Sequence, residues 1–169
     1  MQYTRIAAGT LAAVTTVVLV ATLSACSSPG KSATSQLATA KQTTLTVESQ
    51  IAAFAPTKDV VSTHQTLTSK VIFPCLSKQN QSYWPGTTVV NLKSTANTDA
   101  IMSAIGAKYA TAKGWLIVSA KDASGTPSLI LTSSAGAKYT VTIVQGPQLS
   151  ITALSSCFSS DGLAGQKSY

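Results

Sequence analysis

Apolar residues are distributed along this chain in three different ways. The first is a continuous run: residues 6–25 carry no charge and follow the basic Arg5. A basic residue ahead of a moderately apolar stretch that ends in small residues is the layout of an export signal. The run is long enough to span a bilayer, for which about 20 apolar residues suffice. It is rich in Ala and Thr, however, and no Lys/Arg cluster follows it as a stop-transfer signal requires. The pattern therefore predicts a removable signal over residues 1–25.

The second pattern has helical period. Leu37, Ala40, Thr44, Val47, Ile51 and Phe54 recur at spacings of three and four, so one stripe of a helix over residues 35–55 can pack on a core. Pro56 stops that helix, because the residue before a proline is pushed from helical angles. A second helix starts with Asn97 or Thr98 as its cap and Asp99 in its first turn. Ile101, Ile105, Tyr109 and Ala112 form its buried face, and Gly114 is placed to end it.

The third pattern is alternation. Tyr139, Val141 and Ile143 alternate with Thr140 and Thr142, and Leu149, Ile151 and Ala153 alternate with Ser150 and Thr152. One face of each strand is then packed and the other partly wet. Strands are expected over residues 115–120, 128–133, 138–144 and 148–155. Their linkers hold Asp122, Gly125, Pro127, Gly136 and Gly146-Pro147, and are too short for helical crossovers, so the four run as an antiparallel meander. Trp115, opening the first of them, belongs to the core. If the last strand continues unbroken, Cys157 falls on the inward face with Leu149 and Ile151. Upstream, Val71 to Phe73 and Thr87 to Leu92 read as short strands, and Val60 to Leu67 as a strand or a loop. The expected architecture is α+β: an antiparallel meander of four to six strands packed against two helices, in a single domain over residues 35–160, with a polar tail over 161–169.

Charge narrows the function classes. The chain carries +7 in formal charge, and loss of the signal removes its one arginine, leaving eleven lysines against five acids on 144 residues. Those lysines are scattered, and arginine is the best bidentate reader of phosphate and bases, so nucleic acid is not an expected partner. Attraction to anionic lipid headgroups or wall polymers fits the net charge.

Leu23-Ser24-Ala25-Cys26 closes the apolar run and resembles the lipobox of bacterial lipoproteins, in which the cysteine is acylated and becomes the mature N-terminus. The resemblance implies lipidation of Cys26, a flexible tether over residues 26–34 and a site on the outer face of the cell membrane. With Cys26 so occupied, Cys75 and Cys157 remain as an even pair, able to form one disulfide in an oxidising compartment. Together with the stretches "GAKYATAKGW" and "SSCF", the whole chain resembles the short lipoproteins of actinobacteria.

Candidate chemistry is sparse. His64 is the one histidine, in a Thr-rich stretch, and there is no GxSxG elbow. The folded part has no SxxK nucleophile pattern, HExxH, EF-hand loop, GxxxxGK[ST] or GxGxxG, so no metal or cofactor is expected. In "QSYWPG", Tyr83 and Trp84 beside Pro85-Gly86 form an aromatic corner of the kind that binds a ligand or partner, or that packs one ring inward under the other. The leading expectation is a membrane-anchored, non-enzymatic envelope domain that binds a protein, a lipid or a wall polymer. The alternatives are a small hydrolase using His64, or a carrier of an apolar ligand such as a lipid.

Overall fold

The computed structural model describes residues 31–67, 71–76, 79–121 and 125–163. The stretch expected as a signal, Cys26, most of the expected tether, Asp122 and the end of the expected tail lie outside these residues.

Helix α1 spans Ala33–Ala52, and the Ser32 side chain caps it by accepting from the Ser35 amide at 3.2 Å. It thus begins inside the stretch expected as tether. Its buried stripe is Leu37, Ala40, Thr44, Glu48 and Ile51. Glu48 takes the place expected for Val47, which is only half-buried, as is Phe54. Helix α2 spans Thr98–Thr111, where Asn97 accepts from the Ala100 amide at 3.0 Å and Ile101, Ile105 and Tyr109 are buried. Ala112 is already extended, so Gly114 (φ 83°) does not cap the helix but turns the chain into the next strand.

Nine strands follow the chain: β1 (Val60–Gln65), β2 (Phe73–Pro74), β3 (Gln81–Tyr83), β4 (Pro85–Leu92), β5 (Trp115–Lys121), β6 (Pro127–Ser133), β7 (Lys138–Val144), β8 (Gln148–Leu154) and β9 (Phe158–Ser159). Six of them form one antiparallel sheet in the order β1-β4-β8-β7-β6-β5, which contains the expected meander. Both helices lie on the same face, and their stripes meet Val90, Leu131, Tyr139, Val141, Leu149 and Ile151 in the main core. The opposite face carries cross-strand pairs such as Thr87 with Thr152 and Thr140 with Thr152, beside the exposed Leu116 and Val118 of the edge strand. Trp115 packs at the rim of the core, edge-on to Tyr109 at 4.8 Å between ring centroids.

The short strands β2, β3 and β9 make a second, three-stranded sheet, which the sequence pattern did not predict. Beneath it sits a smaller core of Leu37, Ala40, Trp84, Phe158 and Leu163. Leu163 is 1 % exposed, so the span expected as polar tail holds a packed residue at its third position. The Cys75–Cys157 disulfide is formed, with 6.4 Å between Cα atoms across a sequence separation of 82. The inward placement expected for Cys157 is corrected: β8 ends at Leu154, and the cysteine is exposed in the link to β9. Ser155 still faces inward, where its hydroxyl accepts from the Trp84 amide at 2.9 Å, and the alternation is lost only after it.

Candidate functional site

On α2 the residues beside the buried stripe are Thr98, Asp99, Met102, Ser103 and Gly106, which follow one another along one side of the helix. Opposite them stand Ser119 and Ala120 of β5, Pro127, Ser128 and Leu129 of β6, and Ile143 of β7. Most of these side chains are small, so helix and sheet do not close on each other at this end. A cleft of about 530 Å³ remains between them. That size is within the range of small-molecule sites, roughly 300 to 1,000 Å³. Met102, Leu129, Ile143 and Pro127 give it apolar walls, while Thr98, Ser103 and Ser119 bring hydroxyls. Asp99 is the ionisable group among its described lining residues.

Gly106 shows that packing alone does not explain the cleft. A glycine inside a helix costs about 1 kcal/mol relative to alanine. A Cβ placed there would meet Leu129 Cδ1 at 3.9 Å and Ile117 Cδ1 at 4.0 Å, which are ordinary van der Waals distances. Alanine therefore fits, and what the glycine contributes is open space on the cleft wall.

A second polar group lies under α1. Glu48, the one glutamate of the chain, is 0 % exposed. Its Oε2 accepts from the Thr88 hydroxyl at 2.8 Å and from the Gln65 side-chain amide at 3.3 Å, whereas Oε1 is buried without a hydrogen-bond partner. Burial pushes its pKa up, and the bonds from Thr88 and Gln65 oppose the shift only in part. Tyr139, hydrogen-bonded to Thr44, is pushed up to about 12 by burial, with smaller contributions from the negative charge of Glu48 and from Tyr109. Glu48 was not singled out from the sequence. The available signal was its position, four residues after Thr44 and three before Ile51, on the same stripe.

The residues singled out beforehand are dispersed. His64 is exposed on β1, at the sheet edge opposite the cleft strands β5 and β6, with no hydrogen bond to a described residue. The aromatic corner divides. Trp84 is 0 % exposed within the smaller core, with the Lys41 ammonium 5.8 Å from its ring centroid. It is therefore enclosed and not offered to a ligand, which corrects its place in the candidate surface. Tyr83 is half-buried and stacks on Phe73 at 5.6 Å, beside the disulfide-linked strands. Among the described residues no group of three or more His, Cys, Asp and Glu is gathered to hold a metal. Set against protein-family models, curated proteins and solved structures, the chain finds no match in any of the three.

Proposed function

We propose that the chain is a lipid-anchored protein of the cell envelope, held on the outer face of the membrane by Cys26, whose domain binds an apolar small molecule in the α2 cleft without transforming it. The observation that carries the binding reading is the cleft itself: about 530 Å³ with apolar walls, beside a mid-helix glycine for which alanine would fit. Ligand sites are concave and mostly apolar, with a few polar groups that fix orientation. Hydroxyls and one carboxylate at this cleft suit an apolar body with a small polar end, as in a single-chain lipid. Acid–base catalysis requires proton-exchanging groups within hydrogen-bond reach of the substrate. Here His64 stands at the far edge of the sheet, which favours holding a ligand over hydrolysing it. The anchoring part rests on Leu23-Ser24-Ala25-Cys26 and the apolar run before it.

Native mass spectrometry of the protein, extracted from its own membrane in mild detergent, tests the binding reading. It should show an adduct that survives desalting. Ser103→Trp, at an exposed position on the cleft mouth, should lose the adduct while the domain stays folded. An unliganded wild type, or an adduct retained by the variant, would contradict the proposal. Anchoring is tested separately, by whether Cys26→Ala leaves the membrane fraction or accumulates unprocessed.

A further inference from the structure

The carboxyl group of Glu48 lies where α1 meets β1 and β4, and its surroundings are uneven. Both neighbouring donors, Thr88 from β4 and Gln65 from β1, bond to Oε2. Oε1 faces Gly86 of β4, whose missing side chain leaves the space that this oxygen occupies. An ionised carboxylate spreads its charge over two oxygens and calls for donors at both. Two donors on one oxygen and none on the other suit a neutral acid better than a carboxylate, with Oε2 as the carbonyl and Oε1 as a hydroxyl that has no acceptor. A buried charge with no counter-ion is far more costly than a buried neutral hydroxyl.

No cation compensates this group among the described residues. From α1 itself, Lys41 lies two turns away and is directed over Trp84. From β1, His64 pairs with Val89 on the outer face, while Gln65 pairs with Thr88 on the inner one. From β7 the group facing Glu48 is Tyr139, with Tyr109 of α2 near it, and burial holds both tyrosines in their neutral form. β4 brings Thr88 and Gly86, and β8 and β9 bring apolar or hydroxyl side chains to α1.

We propose that Glu48 is a proton-dependent latch, neutral while α1 is seated on β1 and β4, and loosening that seat when it gives up its proton. Gln65 is the tie that must break when the seat opens. It lies on an edge strand and also donates to the Leu45 carbonyl at 2.9 Å, so one side chain ties β1 to α1 at both places. For an acid harder to ionise when docked than when open, docking is strongest below the ordinary glutamate pKa of about 4.3. As pH rises from there to the higher docked value, the docked-to-open ratio falls by up to tenfold per pH unit, then levels. The latch therefore holds in acid and slackens toward alkaline pH.

Because Glu48 is the sole glutamate, selective ¹³Cδ labelling gives one glutamate carboxyl resonance on the full chain. Its titration midpoint should lie above the ordinary value. Amide exchange over Thr44 to Ile51, corrected for intrinsic base catalysis, should report more opening as pH rises through that window. In Glu48→Gln, which cannot ionise, this pH dependence should vanish. Should that variant fold poorly, Thr88→Val retains the acid but removes a bond that favours its charged form, and should move the midpoint higher. A wild-type midpoint at or below the ordinary value, opening independent of pH, or a downward shift in Thr88→Val would overturn the latch.

Discussion

Replacing Gly86 by alanine puts the packing around Glu48 to a direct test. Gly86 is buried in β4 and its φ is not positive, so alanine meets no backbone obstacle. The obstacle is space. The added Cβ would collide with Glu48 Oε1 and stand 3.1 Å from both Glu48 Cδ and Thr44 Cγ2. Thr44 is β-branched and stiff, and the Glu48 carboxyl is held by Thr88 and Gln65, so neither withdraws freely. Overpacking of this kind costs about 1–3 kcal/mol. Against it stands the lower entropy of the unfolded chain when glycine becomes alanine, worth about 0.4–1 kcal/mol. The steric cost is the larger over nearly all of these ranges, and Gly86→Ala should destabilise by up to about 2.5 kcal/mol.

The decisive measurement is a double-mutant cycle with Glu48→Ala, read by equilibrium urea unfolding. Glu48→Ala clears the volume that the new methyl needs and leaves only the Thr44 contact to adjust. In that background Gly86→Ala should be close to neutral, giving a coupling of about 1–2 kcal/mol between the two sites. Equal costs of Gly86→Ala in both backgrounds, within about 0.5 kcal/mol, would refute the claim that the glycine makes room for the acid.

Three further outcomes follow from other parts of the fold. Replacing Cys75 and Cys157 by serine should cost about 4 kcal/mol by the loop-closure relation for a separation of 82 residues, measurable as a lowered urea midpoint, and reductant should have the same effect on the wild type. Asn97→Ala removes the oxygen that accepts from the Ala100 amide and should cost about 1 kcal/mol, with faster amide exchange confined to the first turn of α2. Gly106→Ala should stabilise the domain by about 0.5–1 kcal/mol in the same unfolding assay, since a Cβ there finds ordinary contacts; a destabilised variant would show that the helix needs the glycine for packing.

Elements with a strong period were legible in the sequence. α2 and the four strands of the meander stand within a residue or two of their expected bounds, because α2, β7 and β8 repeat their apolar residues at 3.6 or 2 and the short apolar runs of β5 and β6 are bounded by turn formers. The second sheet was not legible, since β2, β3 and β9 are two or three residues long and cannot show a period. Cys157 was misplaced because parity holds only while a strand continues, and β8 ends at Leu154. The cleft could not be read from spacing either. It arises where Ser103 and Gly106 of α2 stand opposite Ser119 of β5, small residues far apart in the chain.

Glu48 escaped notice for a different reason: glutamate is among the residues least often buried, so a stripe that includes one reads as shifted by a residue toward Val47. That mismatch is itself informative. Sequences tend to agree with their folds at every level, and the exceptions are expected where something other than stability is being retained. This domain holds two such exceptions on the helix-covered face of its sheet, an unpaired acid under α1 and a helix-weakening glycine under α2. An apolar side chain at position 48 would remove Oε1, which has no partner, but it would also leave the buried Thr88 hydroxyl and the Gln65 amide without the acceptor they share. A methyl group at Gly106 would strengthen the helix within the space available. At Gly106 a single substitution would raise stability, whereas Glu48 is tied into its seat by Thr88 and Gln65, and the two exceptions stand at the wall of the cleft and the seat of α1, the places proposed for ligand binding and proton response.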